Sequence, residues 1–306
     1  MERREFIRNM IGGGLVAGSS LAFGPFSSAL AASGAQAPST YDLVAVRGGQ
    51  PELMFDRAIA ALGGIRNFVA HGSKVLVKPN IGWDVSPEQA GNTNPKLVGR
   101  IIEHCLQAGA KEVSVFDHTC DPWAQCYRNS GIERAVKAAG GRMVSGDNEG
   151  YYQRVTVPGK RLTEAKVHEL LLDADVFINV PVLKQHSSSV ITVGMKNLMG
   201  VVWDRWHWHR NDLHQCIADF SGFRRPTLTV VDAYRVMKQN GPRGISVKDV
   251  VPMQSLLVSS DPVVADAAAA MMFGSDPAEV RYIELAAAMK LGSMDLKQLN
   301  IKRIKI

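Results

Sequence analysis

Residues 175–200 read DVFINVPVLKQHSSSVITVGMKNLMG, and the reading of the whole chain turns on them. Val176, Phe177, Ile178 and Val180 form a β-branched and aromatic run, the composition of a strand buried on both faces of a parallel sheet. Pro181 has no N–H to give to a ladder, so the strand is expected to end there. Lys184, Gln185 and His186 follow at once. A serine turn at 187–189 leads to a short apolar run at 190–193, then to Gly194, Lys196, Asn197 and Gly200. Two lysines, a histidine and an asparagine thus lie just past the C-terminal end of a core strand, the edge at which open α/β sheets bind ligands. Lys184 and His186 are two apart in extended chain and project to one side.

Outward from this stretch, strand and helix alternate. Strands are expected at 43–46, 74–77, 113–116, 142–144, 227–231 and 255–258, with a terminal one at 301–306. Helices are expected at 51–61, 95–108, 131–139, 263–272 and from 277 to about 290. Asn94 is a suitable N-cap with Pro95 at the first helical position, and Gly109 suits the C-cap. Residues 150–160 read as a small β excursion and 162–172 as an amphipathic segment. This repetition predicts an α/β fold: one mostly parallel open sheet with helices on both faces, Rossmann-like in its layering. No G-x-G-x-x-G follows any strand, so the dinucleotide fingerprint is missing.

Several blocks resemble the signature of the bacterial and archaeal "domain of unknown function" family 362. They are N-x-P at 179–181, L-K-x-H at 183–186 and K-N-x-x-G at 196–200. VLVKPN at 75–80, TNP at 93–95, QAGAKEV at 107–113, VVDA at 230–233, GPRG at 241–244 and SDPVVADA at 260–267 occur in the same order. The resemblance runs from about residue 44 to about residue 292. Some relatives in that family carry an iron–sulfur ferredoxin module. This chain has no C-x-x-C, so no iron–sulfur cluster is expected. A distant likeness to the lactate racemase family rests on the order lysine, histidine, lysine after a sheet strand. That likeness implies a cofactor held by a lysine and histidines.

The chain has 306 residues, of which 46% are hydrophobic and 21% charged, so it can bury a full core as an ordinary globular domain. Arg3-Arg4 with Phe6-Ile7 resembles the twin-arginine export motif. A weakly apolar stretch at 10–30 and an A-x-A site at 29–31 follow. The expected division is a signal peptide at 1–31, a linker at 32–40 and a single α/β domain at 41–306. Export by the twin-arginine machinery to the periplasm follows as an expectation. Glycines and Pro25 interrupt the apolar stretch, which makes it a poor membrane span. Cleavage after Ala31 would lower the formal charge from +6 to +5. The basic residues are scattered, as on a solvated face, so nucleic acid is not an expected partner.

Polar residues end four strands: Lys78 with Asn80, Asp117 with His118, Lys184 with His186, and Asp232. Lys184, His186 and Lys196 are the expected catalytic residues. Lys78, Asn80, Asp117, Asn197 and Asp232 are the expected ligand-binding set. His207 and His209 form an H-x-H pair in a tryptophan-rich run, and with His214 they are the candidate ligands of a divalent metal. Asp117, His118, His186 and Asp204 are further candidates. An aromatic contact surface formed by Trp203, Trp206 and Trp208 competes with that reading. The loop 238–244 reads as surface or ligand-covering chain. Cys120 and Cys126 fit either a loop disulfide or two free thiols. The expected function is a metal- or cofactor-dependent enzyme acting on a small anionic metabolite. A periplasmic ligand-binding protein and an accessory protein using the tryptophans as an interface are the alternatives.

Overall fold

The computed structural model describes residues 41–306. The twin-arginine motif, the cleavage site and the linker lie outside the described residues. The chain opens with strand β1 (Leu43–Arg47) and helix α1 (Pro51–Ala61). Then come β2 (Lys74–Pro79), α2 (Pro95–Gln107) and β3 (Glu112–Val115). Asn94 caps α2 by accepting from Lys96 N at 3.0 Å. Two short helices, α3 (Trp123–Asn129) and α4 (Ile132–Ala138), return the chain to β4 (Arg142–Met143).

The segment 150–173 keeps the β excursion expected at 150–160 and departs from its pattern only after it. It forms an antiparallel hairpin, β5 (Tyr152–Thr156) with β6 (Glu164–His168), before a single helical turn, α5 (Glu169–Asp173). The amphipathic stretch 162–172 is therefore part strand. Ala165 and Val167 alternate inward in period 2 and join the core.

Strand β7 (Val176–Val180) does not end its line at Pro181. Pro181 lacks an N–H, but its carbonyl accepts from Asp232 N at 2.8 Å. The chain continues as β8 (Val182–His186), which turns back into β9 (Val190–Thr192). The short helices α6 (Gly194–Asn197) and α7 (Arg205–Arg210) follow, then α8 (Leu213–Phe223). A long pair, β10 (Leu228–Met237) and β11 (Val250–Ser259), precedes α9 (Pro262–Phe273), α10 (Arg281–Ala288) and β12 (Ile301–Lys305).

The main sheet has the order β12-β1-β11-β10-β7-β2-β3-β4, with β8 beside β10 and β9 beside β8. The pairs β1–β12, β10–β7, β10–β8, β2–β7, β2–β3 and β3–β4 are parallel. Only β11, against β1 and β10, and β9 run antiparallel. Side chains alternate between two cores. Val75, Val77, Val176 and Ile178 pack under α1, α2 and α4 on one face. Leu76, Phe177, Val231 and Leu257 pack under α8, α9 and α10 on the other. Helices on both faces of a mostly parallel sheet are what the sequence pattern predicted.

From β2 the order runs outward through β3 to β4, while β7 lies on the other side of β2. The C-terminal ends of β2, β3 and β7 therefore border a topological switch point, where such sheets open a crevice.

Candidate functional site

At that switch point lies a cavity of about 500 Å³. Lys78 and Asn80 come from the end of β2, and Asp117, His118 and Cys120 from the loop after β3. Lys184 and His186 come from β8, Lys196 and Asn197 from α6, and Arg205, Trp206 and His209 from α7. Pro242 from the loop after β10 closes one side, so the glycine-proline loop does reach the site.

Asn197 is the hub of the cavity floor. Its Oδ1 accepts from Lys78 Nζ at 3.0 Å and from Asn80 Nδ2 at 2.9 Å. Its Nδ2 donates to Asn179 Oδ1 at 2.8 Å and to Lys78 O at 3.3 Å. One buried amide thus ties β2, β7 and α6 together. The helix carrying it is pinned from behind. Asp266 of α9 accepts from Gly194 N at 2.8 Å and Met195 N at 3.0 Å, and burial pushes its carboxyl up to about 7.

The three cavity lysines stand in different surroundings. Lys78 Nζ lies 2.8 Å from Asp117 Oδ1, with the two side chains 1% and 3% exposed. Burial lowers its pKa and Asp117 opposes that shift. Asp117 is also held by Ile81 N at 2.6 Å. Lys184 has neutral acceptors only, Asn80 Oδ1 at 3.1 Å and Gly91 O at 2.5 Å. Burial, and then the neighbouring Lys196, bring it down to about 7. Lys196 is 9% exposed and faces the cavity with no hydrogen bond or ion pair among the described residues. Burial, followed by Arg205 and Lys78, brings it down to about 8.

His186 accepts at Nδ1 from Ser188 N at 3.0 Å. Burial first, then Lys196 and Lys184, lower its pKa to about 2. The ring is therefore neutral at physiological pH, with its proton on Nε2. His186 is thus a hydrogen-bond donor to the cavity and a poor base. Arg205, which sequence reasoning passed over, spans the rim. Its guanidinium donates to His118 O and Thr119 O, both at 2.6 Å, and to Cys120 Sγ at 3.4 Å. The only sequence signal for Arg205 was its place in the tryptophan–histidine run, where arginine does not stand out.

The remaining expected residues separate. Asp232 does not line the cavity. It is a structural carboxylate that accepts from Asn94 N at 2.7 Å and Tyr234 N at 3.0 Å. His207 and His209 lie on a helix rather than in extended chain. Residues i and i+2 sit about 200° apart around a helix, so the two rings face opposite ways. His209 lines the inner cavity. His207 lines an outer groove of about 640 Å³ beyond α7, together with Trp203 and Trp208. His214 lies on α8. The three histidines do not converge, and among the described residues no three His, Cys, Asp or Glu side chains are arranged to hold a metal.

All four cysteines are free thiols, Cys120 exposed and Cys126 buried. The indole of Trp203 stacks on His118 with centroids 4.8 Å apart and planes 4° apart, while Trp206 is 72% exposed at the rim. All three tryptophans border the outer groove, Trp206 as its exposed member and Trp208 as its buried one. Among the described residues no helix is long and apolar enough to cross a membrane.

A mostly parallel open α/β sheet with a cationic, lysine-lined cavity at its switch point defines the class of protein. The family model "Domain of unknown function (DUF362)" matches residues 75–271, and the chain belongs to that family. The thylakoid-associated protein sll1697 of Synechocystis is 28% identical over 255 residues, which cover 76% of this chain and 72% of that protein. The lactate racemase apoprotein of Thermoanaerobacterium thermosaccharolyticum superposes with a TM-score of 0.44 at 11% identity over 73% of this chain. A Thermotoga maritima protein superposes with a TM-score of 0.46 at 14% identity over 78% of this chain. The alignments cover 55% and 60% of those two solved chains, so this chain spans little more than half their length.

Proposed function

We propose that this protein is an enzyme acting on a small anionic metabolite bound in the switch-point cavity. One observation carries the reading. Lys184, Lys196 and Arg205 line the cavity with no carboxylate to neutralise them, because Asp117, the single acidic residue of the lining, is committed to Lys78. An unpaired buried cation costs several kcal/mol or loses its proton. A carboxylate or phosphate between Lys196 and His209 removes that cost, and binding returns the full charge to Lys196. Lys184, near neutrality, gives or takes a proton at the bound molecule. His186 donates from Nε2 to a developing negative charge, as a neutral electrophile.

The assembled groups are cations and neutral donors rather than a metal's ligand set, so the histidine trio supports no step through a metal. The same reading includes export. The twin-arginine-like start of the chain supports delivery of the folded protein across the inner membrane.

Titration calorimetry with inorganic phosphate and with pyruvate tests the binding. The wild type should bind at least one of them with proton uptake near pH 8, and Lys196→Met should not. Failure of both anions to bind the wild type at low ionic strength would sink the proposal.

A further inference from the structure

Cys120 stands apart from the other three thiols. Cys105, Cys126 and Cys216 are buried, and desolvation pushes them up to about 12, 12 and 11. Thiols so placed are inert. Cys120 is exposed and opens on the cavity. Its position is fixed. Its N–H donates to Gly82 O at 2.8 Å, and Thr119 Oγ1 donates to Asp121 O at 2.7 Å. Arg205 grips His118 O and Thr119 O and directs one N–H at Sγ. The sulfur also lies within electrostatic reach of Lys78, Lys184 and Lys196. An accessible sulfur held among cations is the setting in which thiols act as nucleophiles. Beside it, Lys196, nine-tenths buried and unpartnered, independently marks a place for an anion.

We propose that Cys120 is a nucleophile of this cavity, adding through Sγ to the carbonyl carbon of a small aldehyde or ketone acid whose anionic group Lys196 holds. The inference rests on the anion-binding reading above and narrows its substrate class. In the step, the S–C bond forms and the C=O π pair moves onto oxygen. The thiol proton passes through a lysine amine of the cavity to that oxygen. The product is a thiohemiacetal, and no oxidant or reductant enters. Lys184 suits the proton's passage because both of its forms are populated at neutral pH. The neutral donor His186 suits the new hydroxyl.

The test uses the folded full chain. Iodoacetate and iodoacetamide differ in charge, and each alkylates sulfur with loss of iodide. Rates at each cysteine are read by mass spectrometry and divided by those of a free model thiol. Cys120 should react and the other three should not. Its normalised rate with iodoacetate should exceed that with iodoacetamide by about tenfold or more, the range of local anion enrichment in a cationic cleft. Lys196→Met should bring the ratio of the two normalised rates down to about one, whatever it does to the iodoacetamide rate itself. With carbon-13-labelled glyoxylate, a thiohemiacetal resonance should appear in the wild type and be absent from Cys120→Ser.

Equal normalised rates for both reagents, or a glyoxylate resonance that survives Cys120→Ser, would overturn the inference. Phosphate or pyruvate binding to Cys120→Ser separates the two ideas. If the anion still binds while the charge preference is missing, only the nucleophile falls. If neither anion binds and the preference is missing, the anion site falls with it.

Discussion

Lys78 Nζ and Asn197 Oδ1 meet at 3.0 Å, 119 residues apart in sequence, and this contact joins the end of β2 to the helix that carries Lys196. The same oxygen takes Asn80 Nδ2, and the other end of the amide takes Asn179. Asn197→Leu keeps the volume and strands these partners in a dry floor. We expect it to lower the unfolding free energy by on the order of 3 kcal/mol, since each buried polar group left unpaired costs about 1–3 kcal/mol. Urea denaturation measures this. A midpoint equal to that of the wild type would mean that the floor rearranges and that Asn197 is not its hub.

Lys78 and Lys196 should part company on mutation. Lys78→Met leaves Asp117 buried and uncompensated, a loss of about 3–5 kcal/mol by analogy with broken buried pairs. Lys196→Met removes a buried amine that has no partner, so its melting temperature should equal or exceed that of the wild type while phosphate and pyruvate binding disappear. Differential scanning calorimetry beside titration calorimetry checks both. A large loss of stability in Lys196→Met would make it part of the scaffold.

The pH dependence follows from the lowered lysines. Lys196 titrates near 8 in the folded chain against 10.5 as an ordinary lysine. Between those values the unfolded chain binds the extra proton, so folding is favoured as pH rises through the window. Below about pH 8 the cost of charging the buried amine is fully present. The stability of the wild type relative to Lys196→Met should therefore increase between pH 8 and about 10.5. Comparing the two proteins cancels the opposing titration of buried thiols and tyrosines. Anion affinity should move the other way and weaken above pH 8. Parallel stability curves for the two proteins would show that Lys196 is solvated.

Gly200 is required by its neighbours. A Cβ there would press on Asp117 Oδ1 and lie 2.6 Å from Lys78 Nζ. Both atoms belong to a buried ion pair that Asn197 Oδ1 and Ile81 N also hold, so moving either breaks those bonds. Gly200→Ala should destabilise the chain by about 1–3 kcal/mol, as overpacking of a tight core does, and should weaken phosphate or pyruvate binding by distorting the floor. A variant as stable as the wild type, with unchanged binding, would contradict the tight packing.

The first residues should direct export. Replacing Arg3 and Arg4 together by lysine is expected to keep the protein in the cytoplasm, with cleavage near Ala31 lost. Cell fractionation and the mass of the recovered chain report this directly. Normal amounts of cleaved protein in the periplasm would remove the twin-arginine assignment.

The sequence by itself determined the layering and the edge of the sheet that matters. A short β-branched and aromatic run such as Val176–Val180, closed by Pro181, suits a strand covered on both faces. Strand-to-helix alternation forces parallel neighbours, and polar residues at strand ends then converge on one edge. That logic located Lys78, Asn80, Asp117, Lys184, His186, Lys196 and Asn197 together, as the cavity shows. It failed where the deciding partner is distant. Pro181 looked like a stop because its missing N–H is local information, whereas the Asp232 N–H that uses its carbonyl comes from another strand. The H-x-H pair looked chelating until the backbone proved helical there. Asp232 looked like a site residue until two backbone N–H groups claimed it. The different surroundings of three identical lysines were not written in their spacing. Burial and partner geometry set them, and only the folded chain decides which amine meets Asp117, which meets neutral oxygens, and which meets nothing but the cavity.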